Sequence, residues 1–184
     1  MSRKARARAL HAAMALLDEG GLDGCSIEAV ARRSGVAKTT IYRHWETGGA
    51  LLHEALGCSI QPFPTPNTGS LAEDLRTFMT GVLEVVLVGK KALMLSVLQA
   101  AIDDPEIAGI QQLMMKEHLQ PLRTVIQLAQ GRGEVHPDID LDLGVLLVEG
   151  PLFLSTMTQG APGPQQLDGL IDLAVAGLTG WRPE

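Results

Sequence analysis

The chain reads as all-α. Helical periodicity is close to continuous along its 184 residues, strand-type alternation is nearly absent, and the breaks between periodic stretches carry helix caps, glycines or prolines. A hydrophobic fraction of 46% excludes disorder, and the length allows a small head and a larger body, about nine helices in all.

In the first helix Leu10, Ala13, Met14 and Leu17 follow the i, i+3, i+4, i+7 rule, and Gly20-Gly21 stops it. Ser26 stands where an N-cap belongs, with Glu28 in the first turn to complement the helix dipole. Ile27, Val30 and Ala31 form the inward stripe of this second helix, Gly35 permits a tight turn, and Ile41 with Trp45 forms the stripe of a third. Lys38, Thr39, Thr40, Tyr42, Arg43 and His44 are left outward, every one able to donate a hydrogen bond. Two short helices around a glycine turn, the second studded with hydroxyls and cations, are built to place one helix in a DNA groove. The same aromatics and cations could instead serve only core and solubility, and Trp45, four residues after Ile41, belongs to the core. A fourth helix starts near Thr47 and packs through Leu51, Leu52, Ala55 and Leu56.

These spacings set the organisation: a head over 1–46, a connecting helix over 47–60, and a segment over 61–69 whose three prolines forbid helix. The body, 70–184, opens on a capping box, Ser70 with Glu73, and an amphipathic helix with Leu71, Leu75, Phe78, Met79, Val82 and Val86 inward. A more uniformly apolar helix, Ala92 to Ile102, predicts burial on most sides. Asp104 caps the next, with Pro105 at its first position and Pro121 predicting a kink or a split. Asp138 or Asp140 caps a helix containing Gly150-Pro151, and the last runs from about Gln165 to Leu178.

Net charge is −6, but its distribution matters more. Residues 1–60 carry eight Lys/Arg against six acids, the remainder seven against fifteen, so phosphate would repel the body and favour the head. Cys25 and Cys58 lie far apart, lack metal-type spacing, and have no thiolate-stabilising neighbour in sequence; reduced thiols in a cytoplasmic protein are the reading. The basic Ser2 to Arg8 run leads into alanines and then acids, not a secretory apolar core, and apolar stretches such as Ala92 to Leu95 are too short to span a bilayer. Catalytic motifs fail. Gly89-Lys90-Lys91 lacks the rest of a P-loop, Gly131-Arg132-Gly133 lacks a third glycine and a preceding strand, and the five histidines share no metal spacing. No enzyme, metal site or cofactor is expected.

Ser26 to Trp45, followed by Ala50-Leu51-Leu52, resembles the helix-turn-helix and following helix of tetracycline-repressor-type (TetR family) regulators. The stretch Arg132 to Asp140, then Gly150 to Phe153, is similar to the C-terminal half of one large group of them. The resemblance implies a homodimeric transcriptional regulator, a repressor released by a small-molecule effector, on double-stranded DNA at a pseudo-palindromic operator. By position, Lys38, Thr39, Thr40, Tyr42 and Arg43 would contact bases and backbone; His44, Ser26, Arg3, Lys4 and Arg6 would contact phosphate. The body would bind the effector between helices, with Met79, Leu83, Met94, Val97, Leu98, Leu113, Met114, His118, Leu122, Phe153 and Met157 as lining or as ordinary core. With 3% aromatic residues, an aliphatic or mixed effector is favoured over a flat stacking cation. The last two helices would pair the dimer.

The sequence departs from the family pattern at three places. Ala37 stands where a serine caps the recognition helix, at a cost of roughly 1 kcal/mol. Trp45 stands where a phenylalanine is usual. Thr47-Gly48-Gly49 replaces a Ser-Lys-Glu start to the fourth helix, removing a phosphate-contacting lysine. This last change predicts weaker non-specific DNA affinity, and it sustains a rival reading: a ligand-binding or interaction protein of the same fold without operator recognition.

Overall fold

In the computed structural model, residues 1–59, 64–84 and 91–182 are described, without the side chains of 58 and 59. Val86 and residues 61–63 of the proline-rich segment lie outside them, as does the side chain of Cys58. The described residues form nine helices and no strand: α1 Arg3–Gly24, α2 Ile27–Ser34, α3 Lys38–Tyr42, α4 Gly48–Ser59, α5 Leu71–Val82, α6 Lys91–Asp103, α7 Pro105–Gly131, α8 Leu141–Gln159 and α9 Pro164–Gly180. Two compact units emerge. One joins Met1–Gln61 with Lys90–Lys116; the other joins Pro62–Gly89 with Glu117–Glu184.

The first unit is built on the head. Leu10, Ala13 and Leu17 of α1 pack with Ile27 and Val30 of α2, Ile41 of α3, Trp45, and Leu51, Leu52, Ala55 and Leu56 of α4, all buried. Leu93 and Val97 of α6 complete this core, with Ile107 and Met114 of α7 packed against it. Gly21 leaves helical geometry at φ 63°, ψ −156°, so α1 bends where the glycine pair predicted a stop, and one further turn follows to Gly24. The expectation that α6 is buried on most sides is corrected: Leu93 and Val97 form a single buried face, while Leu95 is 44% and Ile102 80% exposed.

The second unit has its own core. Leu71, Leu75, Phe78, Met79 and Val82 of α5 face inward as the periodicity required, meeting Leu122, Val125, Ile126 and Ala129 of α7, Val148 and Leu152 of α8, and Ile171, Ala174 and Leu178 of α9. The capping box does not form: Ser70 makes no side-chain cap to α5. Instead Glu134, from the loop after α7, accepts from the Leu71 N–H at 2.8 Å. Buried Asp74 accepts from the Thr68 N–H and hydroxyl at 2.6 and 2.8 Å and pairs with Arg132 at 3.2 Å. A distant carboxylate wins the helix start because it adds an ion pair to the cap. Pro121 does not split α7, which runs unbroken through it. Asp104 caps α7, accepting from the Glu106 N–H at 2.8 Å, and Asp140 caps α8, accepting from Asp142 and Leu143. By length and composition α8 could cross a membrane. It carries Asp142 and Glu149, however, and buries Gly144, Val145, Val148, Leu152 and Thr156 in the core.

Candidate functional site

The outward face of α3 is positioned from beneath. Ser26 caps α2 by accepting from the Ala29 N–H at 3.1 Å, which leaves its exposed hydroxyl proton free to donate. Gly35 takes the left-handed conformation, φ 66° and ψ 18°, and its N–H closes on Ala31 O at 3.0 Å. That geometry favours glycine and turns the chain into α3 within three residues. Ile41 and Trp45 then sink into the core at 0% and 4% exposure. Lys38, Thr39, Tyr42, Arg43 and His44 are exposed, and Thr40 is half-buried. As Ala37 implies, α3 has no side-chain cap.

Three of the outward cations are already engaged. Lys38 Nζ donates to Glu28 Oε1 at 2.7 Å, and that hydrogen bond holds the Glu28 carboxyl below its ordinary range. Arg6 is ion-paired with Glu54 and donates through Nε to His44 Nε2 at 3.1 Å, leaving Nδ1 as the ring's donor. Arg33, at the end of α2, makes a two-pronged pair with Glu19 at 2.5 and 2.7 Å. Arg3 and Lys4 are exposed at the start of α1. Lys4, Arg8, His11, Arg33 and Ser34 line an open groove of about 460 Å³. Arg8, His11 and Arg33 were not among the expected contacts; Arg8 and His11 lie four and seven residues beyond Lys4, spacings that share a helix face.

Thr47 Oγ1 accepts from the Ala50 N–H at 3.0 Å and caps α4. Gly48 is exposed, and a Cβ there would meet nothing nearer than Ile27 Cδ1 at 4.0 Å. At buried Gly49 a Cβ would overlap the Glu106 carboxylate of α7. The two glycines therefore differ: the first leaves room for a side chain, the second receives a carboxylate.

The expected effector residues divide between the units. Met94, Val97, Leu98, Leu113 and Met114 belong to the first, Met79, Leu83, His118, Leu122, Phe153 and Met157 to the second. Val97, Met79, Leu83 and Leu122 are buried, Leu113 is exposed, and Met94, Leu98, Met114, His118, Phe153 and Met157 are half-buried. Burial lowers the His118 pKa from its ordinary value. Glu149 escaped the sequence reading. Its Oε2 is shut off from solvent and makes no hydrogen bond among the described residues, and burial pushes its carboxyl up to about 7. The available signal was an acid in the otherwise apolar stretch from Gly144 to Leu154. Burial also pushes the Cys25 thiol up to about 11, where it donates to Ala13 O at 3.6 Å, so it is a poor nucleophile.

A glycine-turned helix pair on a packed three-helix core, presenting hydroxyls and cations, together with a second all-helical unit, defines a helix-turn-helix DNA-binding regulator. Comparison with known proteins carries this further. Residues 9–55 match the family described as bacterial regulatory proteins of the tetR family, and residues 65–174 match the tetracyclin repressor-like C-terminal domain. The chain belongs to the TetR family of transcriptional regulators. It is 31% identical over 165 residues to the HTH-type transcriptional regulator AqdR of Rhodococcus erythropolis, covering 88% of this chain and 79% of that one. It is 28% identical over 156 residues to the DNA-binding transcriptional repressor TetR of Mycobacteroides abscessus, covering 83% and 82%. Among solved structures, the TetR family transcription regulator SCO0332 superposes with a TM-score of 0.69 at 26% identity, over 98% of this chain and all of that one. The flavonoid-responsive regulator FrrA shares the fold at a TM-score of 0.74 and 18% identity, covering 97% of each chain. The relatives' role is regulatory and non-enzymatic.

Proposed function

We propose that the chain is a cytoplasmic, homodimeric repressor that leaves its operator when a small molecule binds the body. The carrying observation is the α3 face: Lys38, Thr39, Tyr42 and Arg43 exposed above a core that pins Ile41 and Trp45. In this reading Lys38, Thr39, Thr40, Tyr42 and Arg43 meet bases and nearby backbone, while Ser26, His44, Arg3, Lys4 and Arg6 meet phosphate. A guanine read by Lys38 or Arg43 supplies about 1–3 kcal/mol of discrimination, and the phosphate contacts make affinity salt-dependent.

Dimerisation through α8 and α9 is supported by the apolar surface they leave uncovered. Leu143, Leu146 and Leu154 of α8 are 66%, 62% and 62% exposed, and Leu173 of α9 is 71%. Two-fold pairing of these faces gives a four-helix bundle, and the operator is then a pseudo-palindrome with half-sites about 34–36 Å apart or somewhat more. Effector in the body shifts α4 and spreads the two heads; a coupling of about 1–3 kcal/mol suffices.

The test is a gel shift of the full chain against the DNA upstream of its own gene at several salt concentrations. A sequence-specific complex that weakens steeply with salt supports the reading. No complex at low salt overturns it and favours a ligand-binding or interaction protein of the same fold without operator recognition.

A further inference from the structure

Glu149 is a carboxylate whose position needs a reason. It lies at mid-length in α8, flanked by Val148 and Gly150, and its Oε2 is sealed from water with no hydrogen-bond partner among the described residues. A buried acceptor left without a donor is destabilising, more so when charged, so the position is unfavourable for a helix that serves packing alone. Helical spacing places Glu149 on one strip with Phe153 and Met157, four and eight residues on, both half-buried. The strip borders the core face of Val145, Val148 and Leu152 on one side and exposed Leu146, three residues before Glu149, on the other.

Seven residues before Glu149, Asp142 of α8 is ion-paired with Arg123 of α7, and Ile126 of α7 lies 3.2 Å from the Cβ position of Gly144, so the start of α8 packs on α7. Further along α8, Phe153 and Met157 supply half-buried apolar surface beside one carboxylate oxygen that has no hydrogen-bond partner among the described residues.

We propose that Glu149 anchors the effector and that the effector is an apolar molecule bearing a protonated amine. This rests on the reading that the body binds a small molecule. An ammonium supplies what Oε2 lacks, a charge-assisted donor, and the paired carboxylate and ammonium bury together at far lower cost than either alone. With burial pushing the carboxyl up to about 7, the group stands between its two protonation states near neutral pH, and a cation selects the ionised one. The apolar neighbours select the remainder of the molecule, in line with the 3% aromatic content of the chain.

The experiment is isothermal titration of the full-length protein at pH 7.5 with decylamine, decanol and decanoate, chosen to share one chain and differ in headgroup. Decylamine should bind at least about tenfold more tightly than decanol, the margin of one hydrogen bond to a charged group, and decanoate more weakly than either. E149Q, nearly isosteric, and E149M, apolar and of similar length, should each bring the amine-to-alcohol ratio close to one. Equal affinities in the parent protein, no binding by any of the three, or an amine preference that survives both substitutions would overturn the proposal. The titration needs no DNA. Failure of operator binding with an intact amine preference removes only the repressor reading; operator binding without that preference removes only the amine.

Discussion

Trp45 Nε1 donates to Glu54 Oε2 at 2.7 Å, while Glu54 also ion-pairs Arg6 from the start of α1. The indole closes the base of the recognition helix, and its one polar atom is satisfied by α4. In E54A the indole N–H loses its partner, so stability should fall by about 1–3 kcal/mol. Urea unfolding followed by fluorescence measures this directly. Arg6, released from Glu54, should at the same time gain phosphate contact, seen as a steeper salt dependence of DNA binding. A stability loss without that change would mean Arg6 stays away from DNA.

The Lys38–Glu28 pair sets a second expectation. Both side chains are about half exposed, so the pair adds little to stability, on the order of 0–1 kcal/mol. Its effect on DNA is larger, because Lys38 must leave a carboxylate to reach a base or phosphate. E28Q should tighten operator binding severalfold with less than about 1 kcal/mol change in unfolding free energy. Unchanged affinity would show that Lys38 does not contact DNA.

At the start of α4 the two glycines part company. Gly48 has open space for a side chain, whereas Gly49 lies under the Glu106 carboxylate. G48K should increase operator affinity and raise the salt slope by about 0.9, the signature of one added phosphate contact. Equal affinities of G48K and parent protein across salt concentrations would remove Gly48 from the interface.

The head was legible in the sequence because its determinants are local. Ser26 caps within three residues, Gly35 turns the chain where it stands, and Ile41 and Trp45 share a face by spacing alone. What periodicity could not show were partners far along the chain. Glu134 replaces Ser70 at the start of α5 from 63 residues away, and α6 loses the burial its composition implied because one face alone meets the head. Pro121 reads as a breaker from backbone chemistry, yet α7 passes through it, since a proline costs a helix one hydrogen bond and a steric clash that packing can offset. Glu149 was overlooked for a related reason. A single acid in an apolar stretch looks like a solvated position until the fold closes water out.

The Asp74–Arg132 pair carries its own prediction. Asp74 is fully buried, held by Thr68 on one side and Arg132 on the other, while Arg132 also pairs with Glu134. R132M keeps the aliphatic length but leaves a buried carboxylate short of its cation, so unfolding free energy should drop by about 3–5 kcal/mol. R132M with D74N should recover much of that loss, since the neutral amide no longer needs the charge. Calorimetry of the two variants decides it; an R132M protein as stable as the parent would show that Thr68 alone satisfies Asp74.

Glu149 makes stability depend on pH with a definite sign. Its pKa is raised in the folded protein, from an ordinary 4.5 to about 7, with burial as the cause. Below pH 4.5 the group is protonated whether the chain is folded or not, and it contributes no penalty. As pH rises toward 7 the unfolded chain ionises the group freely while the folded chain resists, so stability falls across that window, by on the order of 3 kcal/mol at full effect. His118, with a lowered pKa, acts in the opposite sense: stability it withholds on acidification returns as pH rises through its ordinary range. The two slopes overlap below the ordinary His118 value of 6.5, and the parent's profile alone does not separate them. E149Q does, because it cannot ionise. Its unfolding free energy, compared with the parent's at pH 5 and pH 8, should show a gain at pH 8 that shrinks or vanishes at pH 5. A constant difference between the two proteins would mean that Glu149 titrates like an exposed acid and that its buried oxygen is satisfied in solution.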